Sequence, residues 1–149
     1  MGKQDVMAKI LPKGKGVWVP IDHGVTDFPC VGLENIEATI TAIIAGGANV
    51  IVAHKGVVDK YSHLCEGTAT SMIAHLSAST RHGGKNHSNK VLVGDVDEAI
   101  MRGAVGVSVQ ANIGSKKEST MLQRMGHITS EAFLNQVPVL GMLYVLSLI

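Results

Sequence analysis

Aromatic side chains are scarce, 3% of 149 residues, with one tryptophan, two tyrosines and two phenylalanines. A chain so poor in π faces is not a base-stacking platform for single-stranded nucleic acid. Charge is also thin, at 17% of residues with a formal net charge of +1. That excludes an electrostatic nucleic-acid binder and, with 46% hydrophobic residues, a disordered chain. Cysteine is limited to Cys30 and Cys65. Two distant thiols form neither a CxxC metal or redox pair nor a secreted disulfide framework, so both are expected to be reduced in a cytoplasmic protein. Long apolar runs are missing as well. The first sixteen residues, MGKQDVMAKILPKGKG, lack the apolar core of a secretory signal. The apolar segment 137–149 falls short of the ~20 residues that span a bilayer, and reads as a buried strand. No membrane partner is expected. The length suits one domain over 1–149.

What is present is a Val/Ile/Ala-rich pattern. Segments 17–21, 50–53, 71–76, 105–109 and 137–143 have the continuous apolar character of parallel strands buried on both faces. Amphipathic helices are expected between most of them. Ile36, Ile40, Ile43 and Ile44 define one over 35–45, started by Glu34 or Asn35 and stopped by Gly46 and Gly47. A second opens at Asp95, with Glu98 reaching back as a capping box, and ends at Gly103. A third, over 117–135, is expected to bury Met121, Leu122, Met125, Ile128 and Phe133. The repeated order strand, helix, glycine, strand predicts a parallel sheet with right-handed crossovers. Both a doubly wound open sheet and part of a (β/α)8 barrel satisfy that order.

In either architecture chemistry belongs at the carboxyl ends of the strands. Those ends read Asp22-His23-Gly24, His54-Lys55-Gly56, Ser77-Ala78-Ser79-Thr80, Gln110-Ala111-Asn112 and Tyr144. A polar residue where a strand leaves the core is ordinary, and Asp22 before a turn or a half-buried His23 or His54 has a purely structural explanation. Five such ends together carry a carboxylate, an amine, hydroxyls and a phenol to one rim, the parts needed for proton transfer and carbonyl chemistry. The seven histidines show neither HxxxH nor HxH spacing, so no metal site is expected. The basic loop RHGGKNHSNK at 81–90 lacks a Walker pattern; it is a surface loop first and a phosphate contact second.

In order and register, VPIDHGVT at 19–26, GGANVIVAHKG at 46–56, HLSAST at 75–80, DEAIMRGAVGVSV at 97–109, NIGS at 112–115 and GMLY at 141–144 resemble an archaeal class I aldolase family. It holds DhnA-type fructose-bisphosphate aldolases and 2-amino-3,7-dideoxy-D-threo-hept-6-ulosonate synthase. The resemblance covers nearly the whole chain, and the form DHGVT leans toward the synthase branch, which serves an alternative route to 3-dehydroquinate and aromatic amino acids. It implies a (β/α)8 TIM barrel that forms a lysine Schiff base with a phosphorylated keto sugar and uses a small aldehyde as the second substrate. Neither metal nor other cofactor is implied. Residue by residue, it makes Asp22 the catalytic acid/base at the end of strand one and Tyr144 the proton donor at the end of strand five. Asp22, His23, Gly24, Val25 and Thr26 become the substrate-binding segment. His54 and Lys55 are lesser candidates, Lys55 as a substitute amine.

Two departures shape the expectation. After Tyr144 the family pattern continues with Pro-Arg, whereas here Val-Leu-Ser-Leu-Ile follows, and 145–149 are not family-like. About five strands of eight are accounted for, so the chain is expected to be a truncated barrel without the Schiff-base lysine of strand six, and inactive by itself. Unpaired strand edges then favour a homo-oligomer or aggregation. The alternatives are a fructose-bisphosphate aldolase, a non-catalytic half-barrel assembly module, and a flavodoxin-like domain holding a phosphorylated ligand.

Overall fold

A computed structural model describes residues 2–146, without the side chains of 85 and 86. The chain runs through α1 (Lys3–Ile10), β1 (Trp18–Pro20), α2 (Ile36–Ala45), β2 (Val50–His54), α3 (Lys55–Tyr61), β3 (Ser71–His75), β4 (Ser77–Ala78), β5 (Val91–Leu92), α4 (Val96–Met101), β6 (Gly106–Ile113), α5 (Glu118–Leu134) and β7 (Val139–Val145). The main sheet has the order β1-β2-β3-β6-β7, and all of its pairs are parallel. Its strands follow chain order without reversal. A doubly wound sheet reverses at a switch point, so this order belongs to a barrel and rules out the flavodoxin-like alternative.

Strand alternation sorts side chains into two cores. Ile51, Ala53, Met72, Ala74, Val107 and Val109 face outward and pack with Ile40 of α2, Val58 of α3, Val96 and Ala99 of α4, and Ile128 and Ala132 of α5. Val50, Val52 and Ile73 point inward, where Val6 and Ile10 of α1 meet them beside Trp18, Leu140 and Met142. Farther along the same inward face the side chains turn polar, and this change of layer positions the site.

Local chemistry explains most element ends. The Asn35 side chain accepts from the amide of Ala38 and starts α2. At the end of α4, Gly103 takes φ +96° against Ser62, a conformation and a closeness that a side chain would not tolerate. Asp95 caps α4 by accepting from the Glu98 amide, but Glu98 does not close the capping box. Its carboxylate is taken by Lys55 and Arg102 instead.

Other expectations need correction. Leu122 and Phe133 are exposed. The buried stripe of α5 is Met121, Ile128 and Ala132, and each of the two misassigned residues lies one position, about 100° around the helix, past a stripe member. β6 runs to Ile113, so Gln110 and Asn112 sit within the strand rather than after it. The short α1 and the antiparallel β4/β5 hairpin were not anticipated; α1 buries only Val6 and Ile10, and the hairpin strands have two residues each. At the far end Val145 still pairs with Ile113, and the Leu146 amide donates to the Ile113 carbonyl. Residues 147–149, the rest of the segment expected not to be family-like, lie outside the described residues.

Candidate active site

The inward polar layer is set by register. His54 of β2 is paired with His75 of β3, His75 with Ser108 of β6, and Asn112 of β6 with Tyr144 of β7. Asp22 follows β1 and opens a 3-10 turn over Asp22–Val25, which points the chain away from the sheet as the strand ends. A cleft of about 300 Å³ opens over this layer, lined by Asp22, His23, Thr26, Lys90, Gln110 and Tyr144 above Pro20 and Met142. The first strand and the last described strand, which stand at opposite edges of the sheet, thus deliver a carboxylate and a phenol to one cavity.

Asp22 Oδ2 lies 3.6 Å from Nε2 of His75, a ring only 1% exposed. His75 Nδ1 in turn lies 2.6 Å from Ser108 Oγ. Burial is the main reason the His75 pKa falls, to about 4; His54 and Lys90 add to the drop, while Asp22 opposes it. His54 Nδ1 is 3.1 Å from the His75 carbonyl, and burial lowers its pKa too. Both rings stand neutral at pH 7.

Lys90 was missed as a site residue, because in sequence it closes a loop rather than a strand. Its carbonyl accepts from the Arg124 guanidinium at 2.6 Å, and the loop before it is tied to β6 where Asn112 Nδ2 donates to the Ser88 carbonyl. These anchors bring the amine into the cleft. Burial pushes its pKa down from the usual lysine value, with Asp22 and Asp27 working in the opposite direction. The available signal was the RHGGKNHSNK loop itself, read as surface.

The remaining sequence candidates separate. His23 and Thr26 line the cleft with Asp22, whereas Gly24 and Val25 face a second, apolar pocket of about 240 Å³ with Phe28, Leu33 and His54. Lys55 is outside the cleft. Its ammonium bonds Glu98 Oε2 at 3.0 Å on the helical side of the sheet, so it is not an amine poised beside Asp22. Among the described residues no group of three His, Cys, Asp or Glu side chains is arranged to hold a metal ion. No described helix is long and apolar enough to cross a membrane.

The model of the DeoC/LacD family aldolases matches residues 16–147. The chain belongs to this aldolase family. Among curated relatives, the 2-amino-3,7-dideoxy-D-threo-hept-6-ulosonate synthase 1 of Archaeoglobus fulgidus is 33% identical over 144 residues, 97% of this chain and 54% of the relative. The synthase of Halobacterium salinarum is 34% identical over 143 residues, 96% of this chain and 53% of the relative. A 2-amino-4,5-dihydroxy-6-oxo-7-(phosphonooxy)heptanoate synthase of Streptomyces griseus is 34% identical over 126 residues, 85% of this chain and 45% of the relative. The chain therefore spans about half the length of the curated relatives it matches. An archaeal fructose-1,6-bisphosphate aldolase, solved with its catalytic lysine bound to the substrate's carbinolamine intermediate, superposes with TM-score 0.79 at 20% identity. The match covers 99% of this chain and 60% of that one. A second structure, of a Schiff base forming fructose-1,6-bisphosphate aldolase, gives TM-score 0.81 at the same identity and coverage. The fold of this aldolase-family chain is the TIM barrel's, represented among the described residues by five parallel strands and their helices.

Proposed function

We propose that this chain supplies the acid-base part of a Schiff-base aldolase site for a phosphorylated keto sugar, in the 2-amino-3,7-dideoxy-D-threo-hept-6-ulosonate synthase branch and within the cytoplasm. The observation that carries the reading is that Asp22 and Tyr144, from opposite edges of the sheet, share one cleft. The names of the 33–34% identical relatives favour the synthase over a fructose-bisphosphate aldolase. In such a reaction a primary amine adds to the carbonyl carbon of the sugar, a proton passes to the carbonyl oxygen, and the carbinolamine loses water to give an imine. Each transfer needs a group that takes a proton at nitrogen or returns one at oxygen, and the shared cleft supports Asp22 and Tyr144 in those roles. Thr26 and Gln110 offer hydrogen bonds to sugar hydroxyls, and Lys90 offers a cation to the substrate's anionic groups.

The Schiff-base lysine that the family resemblance places on a sixth strand has no counterpart among the described strands, so the 149-residue chain alone should not turn over substrate. Borohydride reduction in the presence of fructose 1,6-bisphosphate, followed by mass spectrometry, checks this. The expected outcome is no covalent adduct, while NMR titration with the same sugar phosphate shows reversible binding as shifts of Asp22, Thr26 and Tyr144 resonances. An adduct on Lys90 would overturn the inactivity and move the amine into this cleft; shifts confined to other surfaces would remove the site.

A second reading is supported by the exposed end of β7, where Leu143, Tyr144 and Val145 are each more than half exposed beside a strand edge without a described neighbour. Such an edge recruits another chain, and self-association follows. Sedimentation of the purified chain tests it, and a monomer at high concentration would dismiss it.

A further inference from the structure

The reaction scheme above uses neither His75 nor Ser108, yet both are buried in the strands beneath Asp22, at 1% and 0% exposure. An imidazole among apolar strand residues is costly to retain unless its nitrogens are satisfied. Nδ1 meets Ser108 Oγ at 2.6 Å. Nε2 has no hydrogen-bond partner among the described residues, and faces Asp22 Oδ2 at 3.6 Å, longer than a made bond.

Two neutral tautomers are available to the ring. If Nδ1 carried the proton, it would donate to Ser108, and the lone pair of Nε2 would be left buried and directed at a carboxylate. If Nε2 carries the proton, the Ser108 hydroxyl donates to Nδ1 and the N–H dipole points at Asp22. Only the second leaves no buried acceptor facing negative charge. Protonating both nitrogens would satisfy them equally, but burial opposes the cation, as do the neighbouring His54 and Lys90. A Ser-His-Asp nucleophile is excluded by the same geometry: Ser108 is fully buried within β6 and does not line the cleft.

We propose that His75 is the positioning residue of Asp22: a neutral ring, locked by Ser108 with its proton on Nε2, that offers Asp22 a hydrogen bond and fixes which carboxylate oxygen is left for the substrate. The bond is open in the free protein and closes as Asp22 engages a ligand, the usual behaviour of site contacts that tighten on binding. This rests on the reading of Asp22 as the acid-base group only in its last step; the tautomer does not depend on it. The arrangement explains why a histidine stands inside a strand otherwise read as apolar, and why its partner across β6 is a serine rather than another valine.

Long-range proton–nitrogen correlation spectra of the chain with nitrogen-15 histidine test the proposal at pH 7. The expected spectrum of His75 is the neutral Nε2–H form, populated more than tenfold over the other. The Nδ1–H form, or an imidazolium, would overturn it. In Ser108→Ala the nitrogen shifts should move toward the averaged values of exchanging tautomers; an unchanged Nε2–H pattern would show that Ser108 is not the lock. In Asp22→Asn the His75 titration should fall to lower pH, since the one charge that raises it is gone, and no movement would mean the two are uncoupled. Adding fructose 1,6-bisphosphate should shift Nε2 while leaving Nδ1 in place. A correct tautomer that ignores the sugar phosphate would count against the acid-base reading of Asp22 and the closing contact but not the lock, whereas a wrong tautomer in the free protein defeats the lock itself.

Discussion

Acidification from pH 6.5 to pH 4.5 should destabilise the fold through His75. In the unfolded chain this histidine titrates near its ordinary 6.5, whereas the folded ring, desolvated beneath Asp22, titrates at about 4. Between those values the unfolded state binds a proton that the folded state refuses. Stability therefore rises with pH across the window, is complete above 6.5, and is lost as pH falls toward 4. At about 1.4 kcal/mol per pH unit, the loss by pH 4.5 is roughly 2 to 3 kcal/mol. His54, also lowered by burial, adds in the same direction. The Glu98 carboxyl is held below its usual range by hydrogen bonds from Lys55 and Arg102, so its contribution is lost at lower pH and does not mimic the effect. Urea titrations read by Trp18, the one tryptophan, measure the change. With m-values of about 1 to 3 kcal/mol/M, the midpoint should fall by about 0.7 to 3 M over the window. His75→Gln, which keeps an N–H donor but cannot titrate, should flatten most of that slope while lowering stability at pH 7. An unchanged slope in this variant would refute the assignment to His75.

Four further outcomes follow from particular contacts. Ile51→Ala, at a site with 0% exposure in the core between sheet and helices, should cost about 2 to 5 kcal/mol in chemical denaturation. Leu143→Ala, on a residue 60% exposed, should leave the monomer's stability within about 0.5 kcal/mol, any larger effect appearing only in the self-association constant. Gly103→Ala places a methyl 2.6 Å from Ser62 Oγ at φ +96°, and a loss above about 1 kcal/mol, or a fall in Tm of several degrees, is expected by calorimetry. Arg124→Ala removes the donor to the Lys90 carbonyl; hydrogen exchange of residues 88–90 should accelerate several-fold, consistent with about 1 kcal/mol of local anchoring, while β2 and β3 amides stay protected.

The five main strands were legible because each is a short run of β-branched and small apolar residues between turn signals, and the helix starts at Asn35 and Asp95 because capping is local. The helix face of α5 was legible only in part. Met121 and Ile128 followed from periodicity, but Phe133 is 65% exposed because hydrophobicity alone does not say where a helix's buried stripe ends. Asp22 and Tyr144 could be picked out as strand-end groups and by family resemblance, yet their common cleft depends on β1 and β7 curving toward one mouth. Lys55 and Lys90 reversed their standing. A strand end directed the first to Glu98 on the helical layer, and a loop anchored by Arg124 and Asn112 carried the second inside.

By itself the sequence determined the parallel α/β order, which depends on composition, spacing and neighbours within a few positions, and its motifs, in order and register, carried the resemblance to the aldolase family. Tertiary structure alone decided that His54, His75 and Ser108 lie side by side, and that Asp22 rests above a buried neutral imidazole. Strand register decides these last facts. Asp22, His75 and Ser108 are separated by dozens of residues, and no local pattern encodes which positions meet across a sheet until the strands have paired.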